Sequence, residues 1–394
     1  MLVAKKRDGT LFTLLGRREK RFLKRLRNRE VFYCPICHEK VQMRLGDQRS
    51  WHFAHQKGTE CSYEAESESA YHLQGKRLLY EWLVSQDVQV KLEPYLTRLK
   101  QRPDLLLNTS PYPTALEFQC STIEPDLLTK RTRTFQKAGV LPIWILGGNR
   151  LKRIGTRTFQ LAQMDWLTLR KASRDSSGTF LIYFCPDSGQ ICLLTDILPC
   201  SNSRILANPH FYPIHSFTLH DLYRISNPEQ PHYPENWLSL KKQWRINAFR
   251  GRSRAHRYAQ TLYRHLSMIP SAAGWPTPHL YQIETPCFLW QGWLFHHFYL
   301  KGPEDRPIRL DQVRKAFRAL VQQNIFRVRS FPLITDRDET LPLLEYLQCL
   351  TTLGLLRQTN ETVFQKKHTA QSPVTMEDFL HLDVEYFEKL SRVF

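Results

Sequence analysis

The sequence predicts an α/β protein in which a mixed sheet is flanked by helices, with a small module before it and a mainly helical region after it. Five Cys and His residues cluster between positions 34 and 61. Short apolar runs bounded by Pro, Gly, Asn or Ser alternate with helical patterns between 67 and 146. The last third is rich in Leu at helical spacing. We expect the three parts to cover residues 1–64, 65–165 and 166–394.

Length and charge restrict the classes of protein that this chain could belong to. Its 394 residues are enough for two or three domains with their own cores. The 56 Lys and Arg residues against 37 Asp and Glu residues give a formal net charge of +19. That balance excludes an acidic disordered scaffold and favours a polyanionic partner, most often nucleic acid.

The sequence contains no predicted secretory signal or membrane segment. The opening MLVAKKRD has no apolar stretch behind its charges, and no apolar run approaches the roughly 18 residues of a membrane helix. In this setting the nine cysteines favour reduced thiols and metal ligands over disulfides. We therefore expect a cytoplasmic protein with no membrane partner.

The Cys and His cluster of the first module predicts a zinc site. Cys34 and Cys37 form a CxxC knuckle, His52 and His55 follow in HFAH, and Cys61 comes next. Zn²⁺ takes four tetrahedral ligands, so one of the five candidates is spare. On a strand the two histidines would point to opposite faces, and we expect Cys34, Cys37, His55 and Cys61 to bind, with His52 as the substitute. Four protein ligands predict a structural metal that holds the module together.

The middle part is predicted to be a compact α/β core. Its apolar runs are short and bounded by turn-forming residues, which indicates strands, and they are interrupted by helical patterns. In order, we expect a helix at 67–84, strands at 88–92, 105–107 and 115–120, a helix at 125–138 and a strand at 141–146. A hairpin at 180–195 is expected to begin the last part, whose helices include 310–324, 342–355 and 376–393.

Two acidic residues mark the predicted strands of the core. Asp104 stands at the head of one strand, and Glu117 shares a face with Gln119 on the next. An acidic side chain in an apolar strand is costly to bury unless it is paired or binds a metal. If the strands form a hairpin, Asp104 and Glu117 could converge on one Mg²⁺ or Mn²⁺ ion. Such an ion can activate water and neutralise the charge that builds on a phosphodiester.

The helix before these strands carries Glu68, His72 and Lys76 at positions i, i+4 and i+8. At about 100° per residue they lie on one slowly drifting stripe. Glu68 could be a further metal ligand, and His72 and Lys76 could contact phosphate or water. The alternative is a solvated helix face, which is the commoner case for such a triplet alone. The two strand carboxylates nearby favour the functional interpretation.

Together these motifs resemble the competence protein CoiA family, a branch of the PD-(D/E)xK nuclease-like superfamily. The resemblance covers residues 1–190 well and the remainder only loosely. It implies a restriction-endonuclease-like core behind a zinc module, and a cytoplasmic role in natural transformation on DNA that recombines into the chromosome. The matching pieces are CPIC at 34–37, HFAH at 52–55, Cys61, ESAYHLQGK at 68–76, PD at 103–104 and EFQCS at 117–121.

By this resemblance, Asp104 and Glu117 correspond to the two acidic motif positions and Glu68 to the acidic residue of the first helix. Gln119 occupies the position where the superfamily usually has Lys. The cation that would orient the attacking water or stabilise the leaving charge is therefore missing there. Either Lys76 supplies it from the helix, or catalysis is weak or absent, and the sequence leaves both open.

Two basic segments are predicted to contact DNA phosphates. One is the helix at 125–138, with Lys130, Arg131 and Arg133. The other is an acid-free segment whose aromatic residues could stack on bases, the alternative being that they pack inward. Its cations are Lys241, Lys242, Arg245, Arg250, Arg252, Arg254, Arg257 and Arg264, and its aromatic residues are Trp244, Phe249, Tyr258 and Tyr263. The basic stretch at 17–29 is instead predicted to be a helix with a core face.

The predicted function is a metal-dependent DNA endonuclease with a structural zinc and a catalytic Mg²⁺ or Mn²⁺. Its expected substrates are branched, displaced-strand or single-stranded DNA in natural transformation and homologous recombination. The main alternative is a non-catalytic DNA-binding accessory on a nuclease-like scaffold, which assists a strand-exchange recombinase. An RNA-directed zinc protein and a restriction enzyme are further alternatives. Cleavage polarity and oligomeric state are left open.

Overall fold

The computed structural model describes most of the chain. The described residues are 1–16, 19–47, 50–56, 58–59, 61, 68–173, 177–223, 236–247, 250–263, 265–334, 338–367 and 373–392. Phe249 and Arg264, two of the candidate DNA contacts, lie outside these ranges.

The first part is an antiparallel sheet with one helix against it. Alternation along its fourth strand points Val41 and Met43 into a core with Phe32, Phe53 and Leu23. The strands run in the order β2-β1-β3-β4-β5. The elements are β1 (Val3–Lys6), β2 (Leu11–Thr13), α1 (Lys20–Arg29), β3 (Phe32–Tyr33), β4 (Lys40–Arg44) and β5 (His52–His55).

The second part begins with the predicted order of helix, three strands, helix and strand, which is confirmed. Its elements are α2 (Ala70–Val84), β6 (Val90–Leu92), β7 (Leu105–Leu107), β8 (Thr114–Gln119), α3 (Pro125–Lys137) and β9 (Leu141–Gly147). Strands β6, β7 and β8 pair antiparallel, whereas β8 and β9 pair parallel because α3 crosses over between them. The sheet is therefore mixed and carries helices, as expected.

This sheet continues past residue 165, where the sequence analysis sets the end of the nuclease-like domain, because β9 pairs in parallel with a later strand. The further elements are β10 (Lys152–Arg153), β11 (Thr158–Gln160), α4 (Gln163–Leu167), β12 (Arg170–Lys171), β13 (Thr179–Cys185), β14 (Gln190–Pro199), β15 (Arg204–Pro213) and α5 (Leu219–Tyr223). The strand order is β10-β11-β15-β14-β13-β9-β8-β7-β6, with β12 beside β13. The hairpin expected at 180–195 is present as β13 and β14, but it belongs to this sheet.

The last part is mainly helical around a core rich in Trp, with a small three-stranded sheet in the order β16-β18-β17. Its elements are α6 (Trp237–Asn247), α7 (Arg254–Leu262), α8 (Cys287–Leu294), β16 (Ile308–Arg309), α9 (Leu310–Gln322), α10 (Leu341–Thr352), β17 (Leu356–Asn360), β18 (Val363–Lys366) and α11 (Met376–Ser391). A π-helical turn at Phe295–Leu300 follows α8. Among the described helices, none has both the length and the apolar character needed to cross a bilayer.

The first two parts meet along α2. Leu2 and Leu15 are buried against Leu73 of this helix. The backbone amides of Leu2 and Val3 donate hydrogen bonds to Glu93 Oε2, at 2.9 and 3.2 Å. Strand β1 therefore begins beside a buried carboxylate of the second part, Glu93.

Candidate metal centre and active site

Four of the five predicted zinc ligands converge in the first part. The ligand atoms of Cys34, Cys37, His55 and Cys61 all lie within 4.8 Å of one another. Cys37 Sγ is 3.2 Å from His55 Nε2, and the amide of Ile36 donates to Cys34 Sγ at 3.4 Å. Strand β5 carries His55 opposite Val41, next to the knuckle that joins β3 to β4. The preferred ligand set of the sequence analysis is the one that the structure brings together.

His52 is the spare candidate. Its ring Nδ1 lies 2.8 Å from the carbonyl oxygen of Ser50, and it pairs across the sheet with Arg44. Three sulfur atoms and one imidazole nitrogen at this spacing fit a closed tetrahedral Zn²⁺ site. Within the described residues, Cys34, Cys37, His55 and Cys61 form the one group of three or more Cys, His, Asp or Glu side chains that could hold a metal ion.

The second part places the two strand carboxylates opposite each other. The antiparallel register pairs Leu105 with Leu116, which sets Asp104 opposite Glu117 at the end of the ladder. Asp104 Oδ2 accepts the amide of Phe118 at 2.9 Å and lies 3.3 Å from His72 Nε2. The predicted hairpin is thus confirmed, and α2 brings His72 to the same place.

Helix α2 can reach this hairpin because a glycine faces β8. A Cβ atom at Gly75 would lie 1.9 Å from Phe118 Cε1, so any larger residue would push the helix away. The ring of His72 packs 5.8 Å from that of Phe118. The close approach of helix and strand therefore sets the contact between His72 and Asp104.

Lys76 is fully buried, at 0% exposure, and lies among three carboxylates. Its Nζ is 2.5 Å from Glu68 Oε1, 2.5 Å from Glu93 Oε1 and 3.5 Å from Asp104 Oδ1. Burial alone would lower the pKa of Lys76, but the charges of Glu68, Glu93 and Asp104 outweigh it and raise that pKa. The predicted contact of Lys76 with phosphate or water does not fit this burial; Lys76 instead neutralises acids inside the protein.

Glu68 lies just before α2, whose N-cap is Ser69, and not on the helical stripe. Besides Lys76, it approaches the Met1 nitrogen at 2.8 Å and Arg102 Nη2 at 3.8 Å. Burial opposes ionisation, but Lys76 and the other nearby cations outweigh it and hold the pKa of Glu68 well below its usual range. Its negative charge is thus compensated by groups of the protein.

Burial would likewise raise the pKa of Asp104, but the charges of His72 and Lys76 and the hydrogen bond from His72 lower it. Glu117 behaves differently. It is 3% exposed, and burial together with the charge of Asp104 raises its pKa to about 7, even though Arg131 Nη2 pairs with Glu117 Oε1. The hairpin therefore holds one firmly ionised carboxylate beside one that readily keeps a proton.

Sequence reasoning missed Glu93 and assigned Arg131 to DNA. Glu93 is 3% exposed and adopts a positive φ of 46°, and no sequence motif marks it. The side chain of Arg131 faces Glu117 and the ring of Trp144, whereas Lys130 and Arg133 on the same helix are exposed. Gln119 donates to Ser121 O at 2.9 Å and to Ser121 Oγ at 3.2 Å.

The predicted basic surface of the last part is corrected in two places. Lys241 and Arg245 are buried, at 3% and 5% exposure, and both pair with Asp383 of α11 at 3.1 and 2.7 Å. Their charges are compensated inside the protein, which excludes phosphate contacts. The aromatic residues also pack inward: Trp244 stacks on Phe288, and Tyr258 and Tyr263 contact Phe326 and His296. The cations that remain exposed are Lys242, Arg250, Arg252, Arg254 and Arg257.

Comparison with known proteins finds matches to one family along nearly the whole chain. Residues 15–64 match the family model for the N-terminal domain of competence protein CoiA, residues 68–227 the model for its nuclease-like domain, and residues 233–380 the model for its C-terminal domain. A relative from Bacillus subtilis (strain 168), named Competence protein CoiA, is 30% identical over 382 residues, covering 96% of this chain and 100% of the relative. No solved structure matches.

Proposed function

The chain belongs to the competence protein CoiA family and carries its nuclease-like domain, and we propose that it is a divalent-metal-dependent DNA endonuclease whose reaction occurs at the Asp104–Glu117 hairpin. Family and domain support a role in competence. The observation that carries the proposal is the strand register that sets these two carboxylates opposite each other, with His72 against one of them.

The charges of the hairpin fit a divalent cation. Asp104 and Glu117 are largely buried, and the pKa of Glu117 is raised by burial and by Asp104 in spite of the contact with Arg131. A cation between the two carboxylates would replace that proton and relieve the repulsion. Carboxylate oxygens are also the ligands that Mg²⁺ and Mn²⁺ prefer. We assign Asp104 and Glu117 as metal ligands, whereas Glu68 is already compensated by Lys76 and Arg102.

A bound Mg²⁺ or Mn²⁺ would activate water and neutralise the charge that builds on the phosphodiester. The protein groups around it have separate tasks. Lys76 keeps Asp104 ionised from within the core, and Arg131 orients Glu117. His72 is 21% exposed and faces Asp104, so it is placed to contact a phosphate or a water molecule. Gln119 contributes no charge.

The surroundings support DNA as the substrate. Lys130 and Arg133 are exposed on either side of Arg131 on α3 and can contact the sugar–phosphate backbone on the approach to Glu117. The order α2-β6-β7-β8-α3-β9 supports a restriction-endonuclease-like core. In the context of competence, the proposed substrates are branched, displaced-strand or single-stranded DNA during recombination.

The test is a cleavage assay on forked, D-loop and linear DNA with Mg²⁺ or Mn²⁺. Asp104→Asn and Glu117→Gln should each lower the cleavage rate by about 100-fold or more. Glu124→Gln, which removes the same charge at the exposed start of α3, is the matched control and should cleave like the unaltered protein. Equal cleavage by all three variants would remove the hairpin from the mechanism.

A second candidate function is the non-catalytic DNA-binding accessory of a strand-exchange recombinase. Two observations favour it: Gln119 replaces the usual Lys, and Lys76 is too buried to substitute for that cation at a phosphate. This alternative predicts salt-sensitive DNA binding without cleavage under any metal. It also predicts full transformation activity in cells that carry the Asp104→Asn/Glu117→Gln double variant.

A further inference from the structure

An open groove of about 1380 Å³ crosses the first part of the chain, residues 1–64, which we call the zinc module. The residues that line this groove all precede the Asp104–Glu117 hairpin in the sequence. It lies between the end of α1 and the hairpin of β4 and β5. Alternation along β4 puts Val41 and Met43 into the core and leaves Lys40, Gln42 and Arg44 exposed along the groove. The floor of the groove therefore carries cations and an amide group among apolar lining residues.

The helix beside the groove is strongly basic. Six of the ten residues of α1 are cations, none is acidic, and only Leu23 is buried. Lys20 pairs with Asp47, and the other five cations are exposed. Those five are Arg21, Lys24, Arg25, Arg27 and Arg29. Of these, Arg27 lines the groove. The acidic residues at the groove are Glu30 and Asp47, so positive charge predominates there.

The arrangement fits an extended chain of phosphates. Alternate side chains on a strand are about 6.8 Å apart, roughly the spacing of successive phosphates in an extended single strand, and Lys40, Gln42 and Arg44 follow this spacing. Ala54, which pairs across the sheet with Gln42, leaves room above the floor. Gln42 and His52 can form hydrogen bonds with base edges, which only an unpaired strand presents in full.

We propose that this groove of the zinc module binds a single DNA strand, with Lys40, Arg44 and Arg27 on its phosphates. The choice of DNA rests on the proposed function, but binding requires neither the metal at Asp104 and Glu117 nor cleavage. Substrate capture is thereby assigned to the zinc module, and not to Lys241 and Arg245, which are buried.

The test measures binding of a fluorescent oligothymidine, about 20 nucleotides long, to the zinc-loaded full chain by anisotropy over a range of salt concentrations. Lys40→Glu/Arg44→Glu should weaken binding by about tenfold or more and lower the slope of log Kd against log salt by roughly 1.4. Arg314→Glu/Lys315→Glu changes the charge equally at two exposed positions of α9 and should stay within about twofold of the unaltered protein.

Zinc content and thermal melting verify that the groove variant is folded, and Lys40→Gln/Arg44→Gln should weaken binding by about fivefold if a charge reversal proves too disruptive. The proposal is overturned if the unaltered chain does not bind the strand, or if groove and control variants weaken it equally. Equal competition by oligouridine or polyglutamate would also overturn the assignment to DNA.

The Asp104→Asn/Glu117→Gln double variant separates this proposal from the nuclease proposal. It should bind the strand with the affinity of the unaltered chain while failing to cut. If the unaltered chain binds through the groove yet never cuts, the groove assignment stands and the endonuclease fails. If cutting depends on the hairpin but binding is unaffected by Lys40→Glu/Arg44→Glu, the groove assignment fails alone.

Discussion

The Cys/His cluster and the carboxylate cluster are both groups of potential metal ligands, but they differ in how their charges are balanced. Around the hairpin, the acids are faced by cations of the protein, with Lys76 beside Asp104 and Arg131 beside Glu117. In the zinc module, the ligand atoms of Cys34, Cys37, His55 and Cys61 face one another within 4.8 Å. The charges of the first arrangement are largely compensated by the protein itself, whereas the thiolates of the second would need a metal ion to hold them together.

The largest effect should therefore come from losing a zinc ligand. Cys37→Ser should reduce bound zinc from one per chain to nearly none. It should also open residues 1–64 to proteases, because a structural Zn²⁺ contributes about 10–16 kcal/mol to the folding of such modules. Elemental analysis and limited proteolysis measure the two outcomes.

His52→Ala is the matched control for this change. Its ring contacts Ser50 and not the ligand atoms, so zinc should stay bound and stability should fall by only about 1 kcal/mol. Loss of zinc from His52→Ala, with zinc retained in His55→Ala, would show that the ligand set is wrong.

The convergence of Cys34, Cys37, His55 and Cys61 could be predicted from the sequence, because knuckle spacing is a local property. The opposition of Asp104 and Glu117 could be predicted for a similar reason: strand alternation and a short connection fix a hairpin register. The helix and strand order of the core follows from apolar patterns in short windows.

What the sequence could not give is the partner of each charge. In the sequence, Lys241 and Arg245 resemble part of a DNA-binding surface. In the fold, α11 places Asp383, which lies 138 residues beyond Arg245, against both of them. Glu93 reaches Lys76 and the amides of β1 through contacts that no motif encodes. Likewise, the sheet that runs past residue 165 depends on a pairing of β9 with β13 that only tertiary structure reveals.

A second prediction tests whether the carboxylate cluster is balanced by protein cations. Lys76→Met leaves Glu68, Glu93 and Asp104 without their shared cation, so the free energy of unfolding should fall by about 3–5 kcal/mol near neutral pH. Denaturant titration measures it. Adding Glu93→Gln should recover part of the loss, because one of the uncompensated charges is then removed.

Arg77→Met is the control for this prediction, since Arg77 is the next residue of α2, is 53% exposed and lies 3.7 Å from Glu81. Such a surface ion pair contributes about 1 kcal/mol or less. Similar losses in the two variants would mean that Lys76 acts as an ordinary packed side chain, and the contrast between the two clusters would weaken.

The smallest of the three effects concerns the proton of Glu117, the point at which the hairpin is least well balanced. With a pKa of about 7 against an ordinary value of 4.5, the folded chain keeps this proton between those values while the unfolded chain loses it. The stability of the protein without a divalent ion at the hairpin should thus fall as pH rises through this window. The Glu117→Gln variant should not show this loss of stability, because it has no proton to release at this position. From about pH 5 to pH 8, the variant should gain roughly 2–3 kcal/mol of stability over the unaltered chain, measured by denaturant titration of the zinc-loaded protein without added Mg²⁺ or Mn²⁺.

The same experiment shows whether an ion can take the place of that proton. Mn²⁺ should stabilise the unaltered chain more at pH 8 than at pH 5, because binding between Asp104 and Glu117 requires both carboxylates to be ionised, and it should not do so in Glu117→Gln. Without added Mn²⁺, Asp104→Asn should reduce the pH dependence of stability, since the charge of Asp104 is one of the causes of the raised pKa of Glu117. If the unaltered chain and Glu117→Gln respond identically to pH and to Mn²⁺, then Arg131 already balances the hairpin, and the site has no need of a divalent ion.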